Sequence, residues 1–117
     1  MKYLLLVYLD EAWLNRPVSE RQQIYLGQVK VTDDLVAKGQ YLGGNPLHPP
    51  STATSDRVRH GKRLLTDGPF AETREHLGGY MLIDVADLDE ALAIAARIPL
   101  ARTSTVEIRP VREGAPT

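Results

Sequence analysis

The chain has 117 residues, of which 43% are hydrophobic and 25% charged, the balance of one globular domain rather than of a disordered segment. Fourteen basic against fifteen acidic side chains give a formal net charge of −1, which argues against direct nucleic-acid binding and against electrostatic attachment to a membrane. Cysteine is absent, so disulfides, zinc–thiolate sites and thiol nucleophiles are excluded and the core must stabilise the fold unaided.

Residues 2 to 9 form a nearly continuous apolar run and predict a strand buried on both faces. Asp10 and Glu11 cut that run short, no small-residue cleavage site follows, and no run approaches the ~18 apolar residues of a membrane span. A cytoplasmic protein is the expectation. Residues 10 to 18 read as a loop. Ser19 to Gln22 then reads as a capping box, with a helix from Glu20 to Lys38 and an apolar stripe of Ile24, Tyr25, Val29, Val31, Leu35 and Val36. Gly39 is placed to end it in a left-handed conformation. Residues 40 to 43 suggest a short strand, which the glycines and prolines of 43 to 50 interrupt.

Residues 52 to 59 and 62 to 66 predict a hairpin about His60-Gly61, because glycine suits the second position of a tight primed turn and histidine tolerates a positive φ before it. Asp67-Gly68-Pro69 reads as a further turn and residues 71 to 77 as irregular chain. Tyr80 to Ile83 is another apolar strand. Asp87 and Glu90 mark a second helix start, and Leu88, Ala91, Leu92, Ala95 and Ile98 line one face of a helix that Pro99 stops. In the last strand, 105 to 111, Val106 and Ile108 alternate with Glu107 and Arg109. Residues 1 to 112 make one domain, and 113 to 117 read as a flexible C-terminal tail.

The order of strands and helices predicts an α+β fold, a ferredoxin-like βαββαβ sheet with an inserted β-hairpin and both helices on one face. Two helices cover only that face. The first strand, however, carries Tyr3, Leu5, Val7 and Leu9 on one side and Leu4, Leu6 and Tyr8 on the other. Each Leu or Val left wet forgoes about 1.5–3 kcal/mol. A homodimer packed through the second face is therefore expected, the alternative being that the hairpin folds over that face within one chain.

The run Asp67-Gly68-Pro69-Phe70-Ala71-Glu72-Thr73-Arg74-Glu75, followed by Leu77-Gly78-Gly79-Tyr80, resembles the DGPF branch of the YCII-related family. The resemblance extends over nearly the whole chain, through Pro49 to Thr54, Asp87 to Leu92 and Val106 to Val111. It implies a dimeric α+β barrel in which two ferredoxin-like sheets pack face to face. Some family members have been proposed as enzymes with a His–Asp pair in a cleft, and others as transcription-associated. Arg74 stands where the motif usually has Lys, and none of the three histidines lies in the first strand or helix, where shorter members place theirs.

Asp67 is the candidate general base or ligand anchor, with an Asx-turn as its structural alternative. Histidine is the side chain suited to acid–base work near neutral pH, and His48 in its proline-rich loop is the candidate partner, ranked ahead of His76, while His60 reads as a turn residue. Gly68 and Pro69 shape the motif loop, Phe70 is expected to pin it to the core, and Glu72, Arg74 and Glu75 are expected to form an ion-pair network or to bind a polar substrate. Glu107 and Arg109 are expected on the dimer side of the sheet. The histidines lack close metal-ligand spacing, so neither a metal nor a cofactor is expected. The functional expectation is a small dimeric enzyme acting on a small polar organic molecule in a cleft near the motif loop. The alternative is a non-catalytic ligand-binding or regulatory module.

Overall fold

A computed structural model describes residues 1–116. Four strands, β1 (Lys2–Leu9), β2 (Tyr41–Pro46), β5 (His76–Asp84) and β6 (Thr105–Pro110), form an antiparallel sheet in the order β2-β5-β1-β6. Two further strands, β3 (Thr54–Arg59) and β4 (Lys62–Asp67), form a separate two-stranded sheet between β2 and β5 in the chain. With α2 (Val18–Ala37) and α3 (Leu88–Arg97) this is the expected ferredoxin-like α+β topology with an inserted hairpin. A one-turn helix, α1 (Glu11–Leu14), occupies part of the segment expected to be loop, capped by the Asp10 carboxylate, which accepts the Trp13 N–H at 3.3 Å.

Helix α2 starts earlier than the capping pattern suggested. Pro17 stands at the N-cap, where its ring sets φ at −54° and its carbonyl accepts the Glu20 and Arg21 N–H groups at 3.1 Å. Ser19 therefore lies inside the first turn and caps nothing. The buried stripe is also rotated from expectation. Val31 and Leu35 are buried, Ile24 and Gln28 are half-buried above them, and Tyr25 and Val36 point outward. Gly39 follows at φ +69°, as expected.

Helix α3 begins as read. Asp87 accepts the Glu90 N–H at 2.9 Å, and Glu90 in turn accepts the Ala86 N–H at 2.9 Å. Its buried face is Ala91, Ile94, Ala95 and Ile98, while Leu88 and Leu92 are exposed. β2 runs through Gly43-Gly44-Asn45 instead of stopping there, because it pairs with β5 along its length, with an extra residue, Leu42, between paired Tyr41 and Gly43. β5 begins at His76, several residues before the expected start. The hairpin turn is as expected, with His60 at φ 52° and Gly61 at φ 76°.

The core lies between the helices and one sheet face. Tyr3 and Leu5 of β1 and Met81 and Ile83 of β5 meet Val31 and Leu35 of α2 and Ala91, Ile94, Ala95 and Ile98 on the α3 side. β1 is thus buried on one face only. Leu4, Leu6 and Tyr8 project to the other side and are half-buried, because neither helix reaches them. Glu107 and Arg109 share that side, paired opposite Leu6 and Leu4. The hairpin does not fold over this face. All six residues of β4 and five of the six in β3 are exposed. The radius of gyration is 16.3 Å, against about 13 Å for a compact chain of this length. Within the tail, Glu113 pairs with Lys2 at 3.5 Å, while Thr117 lies outside the described residues.

Asp34 ties the two long helices together. Its carboxylate accepts from Arg97 at 2.8 Å and Lys38 at 3.3 Å, and these two cations, Arg97 first, hold its pKa below the usual 3.8. The stabilisation from this depressed pKa is present above the unfolded-state value and is lost as pH falls through the folded one. Asp34→Asn is therefore expected to lower stability near neutral pH, with the deficit shrinking as urea titrations are taken from about pH 5 to about pH 2. Leu35→Ala should cost about 2–5 kcal/mol in the same titrations, whereas Val36→Ala on the outward face should stay within about 0.5 kcal/mol.

Candidate functional site

An open cleft of about 1640 Å³ lies at the C-terminal end of β1. One wall comes from that strand end and α1, with Tyr8, Asp10 and Glu11. A second comes from the proline-rich loop, with Leu47, His48, Pro49 and Pro50. The motif loop from Pro69 to Glu75, continuing into His76 and Leu77, makes the third. Backbone bonding fixes the root of this loop. The Gly68 N–H donates to the Ala53 carbonyl at 2.6 Å, and the Ser55 hydroxyl donates to the Gly68 carbonyl at 2.9 Å.

A bulge aims the end of β5 into the cleft. Val7 pairs with Gly79 but the next residue, Tyr8, pairs with Leu77, so Gly78 is the extra residue. Glycine is required there, since an added Cβ would come within 2.1 Å of Leu9 Cδ1. Leu77 is thereby turned to the side of Tyr8, and the two form an apolar floor.

The structure brings His48, Pro69, Phe70, Glu72, Arg74 and Glu75 to one cleft. Asp67 is not on its wall; it ends β4 opposite Thr54, exposed, and no described residue donates a hydrogen bond to its carboxylate. The expected Asx-turn is thus replaced by the backbone bonds of Gly68. Phe70 does not pin the loop to the core, since its ring is 77% exposed. Nor does the expected ion-pair network form. Among the described residues, Glu72, Arg74 and Glu75 make no salt bridge, and the Glu75 carboxylate instead accepts from the Thr105 hydroxyl at 3.2 Å. Glu107 and Arg109 lie on the uncovered sheet face and outside the wall.

Tyr8, Asp10 and Glu11 were not singled out in the sequence. Their signal was present, since acidic residues ending an apolar strand sit where a sheet meets its loops. The assembled wall holds two imidazoles, four carboxylates and one guanidinium over Tyr8, Leu77 and Phe70. Such a set can bind a polar group through Arg74, pack a ring or chain on the floor and exchange protons through a histidine. No described group of three or more His, Asp or Glu residues is placed to hold a metal ion. A second cavity of about 280 Å³ lies beneath α2, among Val29, Met81, Ile98 and Leu100, with Asp33 as its one charged wall residue. It lacks the convergent acid–base groups of the first. No helix among the described residues is long and apolar enough to cross a membrane.

The chain belongs to the YCII-related family, whose domain model matches residues 1–114. It is 36% identical over 115 residues to an uncharacterised protein of Rhizobium meliloti (strain 1021), covering 95% of this chain and 92% of that one. Its fold resembles that of a 5-chloro-2-hydroxyhydroquinone dehydrochlorinase (TftG) from Burkholderia phenoliruptrix AC1100, solved in complex with 2,5-dihydroxybenzoquinone. The TM-score is 0.55 and the sequence identity 15%, over 97% of this chain and 96% of the other. At that identity the likeness establishes the fold alone.

If backbone contacts rather than Phe70 hold the motif loop, Phe70→Ala should change stability by less than about 0.5 kcal/mol. Gly78→Val should destabilise by well over about 1 kcal/mol through the collision with Leu9. Thermal unfolding of the two variants beside wild type tests both.

Proposed function

We propose that this protein is a small enzyme acting on a small polar organic molecule bound in the cleft at the end of β1. The observation that carries the reading is the gathering of His48, His76, four carboxylates and Arg74 over an apolar floor. The structural neighbour TftG is an enzyme, which supports an enzymatic reading of the shared fold. The proposed roles are acid–base work for His48 and substrate binding for Glu72, Arg74 and Glu75; the pairing of His48 with Asp67 expected from the sequence is left to their variants to test, because Asp67 stands outside the cleft wall. The stretch from Asp67 to Glu75 supports assignment to the DGPF branch of the family. A non-catalytic ligand-binding or regulatory module is the second reading, and it is favoured by one observation, the position of Asp67 outside the cleft wall.

The same reading includes a homodimer joined through the uncovered sheet face. It rests on Leu4, Leu6, Tyr8 and Leu82, which no element of the same chain fully shelters. Burying each Leu there is worth roughly 1.5–3 kcal/mol, and flat apolar patches of this kind mark interfaces.

Turnover of a library of small polar organic molecules, hydroxylated quinones and aromatic acids included, followed by mass spectrometry, tests the enzyme reading. His48→Ala should lower kcat/KM for a converted compound about 10²–10⁴-fold. Asp67→Ala should do the same if the two residues work as a pair. Compounds that bind without being converted would support the second reading. Sedimentation equilibrium should give about 26 kDa, twice the 13.0 kDa chain, and Leu6→Lys should return folded monomer.

A further inference from the structure

The β3–β4 hairpin leaves nearly all of its side chains exposed. A two-stranded hairpin alone in water is marginal. Yet this one leaves Val58, Leu64 and Leu65 between 52% and 62% exposed. Its six-residue strands extend about 20 Å from the root at Ala53 and Gly68 to the tip at His60-Gly61. The root forms one lip of the cleft, and none of residues 54 to 67 lines it.

Charge distinguishes the two faces of this hairpin. Arg57 pairs with Leu64 and Arg59 with Lys62, so one face holds three cations around a leucine. On the opposite face Asp56 neutralises Arg63 at 2.9 Å. Residues 54 to 67 carry a net +2 while the whole chain carries −1, leaving −3 for the remainder. Much of that negative charge lines the cleft, where Asp10, Glu11, Glu72 and Glu75 face a single Arg74. The cleft also exceeds the roughly 300–1,000 Å³ of ordinary small-molecule sites and is open on one side.

We propose that the hairpin is an arm exchanged between two copies of the chain. Its basic face lies across the acidic rim of the second copy's cleft and closes the open side. The inference rests on the dimer reading and deepens it, because each cleft is then completed by the other copy. A two-fold axis makes both contacts at once, since the same arm and the same rim occur on each protomer. Nucleic acid is the less favoured occupant, because apolar Leu64 sits in the middle of the basic face and the chain as a whole is slightly acidic.

The absence of cysteine makes the test direct. Two chains of different tag mass, one Leu64→Cys and the other Glu72→Cys, are mixed and treated with a bis-maleimide. Each has one thiol on an exposed position, so no link can form within a chain. The expected product is a covalent heterodimer, and adding Arg57→Glu with Arg59→Glu should slow its formation about tenfold. A dimer by sedimentation that yields no mixed link, or links only through two copies of position 64, would overturn the arm while leaving the sheet-face dimer standing. A monomer of 13.0 kDa would remove both. An unlinked dimer whose salt-sensitive binding to duplex DNA disappears on the Arg57→Glu/Arg59→Glu change would assign the basic face to nucleic acid instead.

Discussion

The alternation of apolar side chains along β1 governs this molecule. A central strand that is apolar at every position from Tyr3 to Leu9 needs cover on two sides, and the chain supplies two long helices, both on the same side. Tyr3, Leu5, Val7 and Leu9 are buried, Tyr3 and Leu5 in the core shared with the helices, with Leu5 completely inaccessible. Their neighbours Leu4, Leu6 and Tyr8 receive only the partial shelter that adjacent strands give. The asymmetry follows from the period of two in a strand and the short connections of the fold. It leaves a half-covered apolar surface with Glu107 and Arg109 alongside it on the neighbouring strand.

The cleft is a by-product of the same architecture. β1 ends at Leu9, and the chain turns immediately into the Asp10-capped turn, which presents Asp10 and Glu11 beside the strand end. Two long excursions of the chain return to this end of the sheet. One brings the proline-rich loop with His48, the other the motif loop with Glu72 to Glu75. Side chains distant in sequence therefore converge without a dedicated scaffold. Their polar groups stay largely solvated, because the cleft is open on one side.

Much of the fold was legible in the sequence because its signals were local. The Asp87–Glu90 start of α3, the Pro99 stop and the His60-Gly61 turn each involve a few adjacent residues and were read correctly. The failures came where a tertiary partner or a neighbouring proline decided. Pro17 displaced Ser19 from the cap of α2. β2 kept going through two glycines because β5 offered it hydrogen bonds. In both helices the buried face was off by part of a turn, since Tyr25 and Leu92 have the right chemistry for a core but the wrong angle. For the site, His48 was singled out by residue type and the motif loop by its family resemblance, and both line the cleft. The separation of Asp67 from them was invisible, because it depends on how the hairpin leaves the sheet. Phe70 shows the limit of reading an isolated aromatic as an anchor when the backbone already ties its loop.

The single extra residue in β5 has a wider meaning for how such a chain can vary. Gly78 resets the phase of the strand, so that the odd and even positions before it and after it answer to opposite sides of the sheet. Without Gly78 the ladder would run regularly with Leu77 still opposite Tyr8, whereas a further residue between Leu77 and Gly79 would have to be accommodated in a wider bulge or shift the pairing of everything before it. The stretch from Ala71 to Arg74 carries no ladder pairing and so is free of that register constraint. A change of length is thus absorbed in the loop, while the short segment that follows it acts as a fixed reference frame.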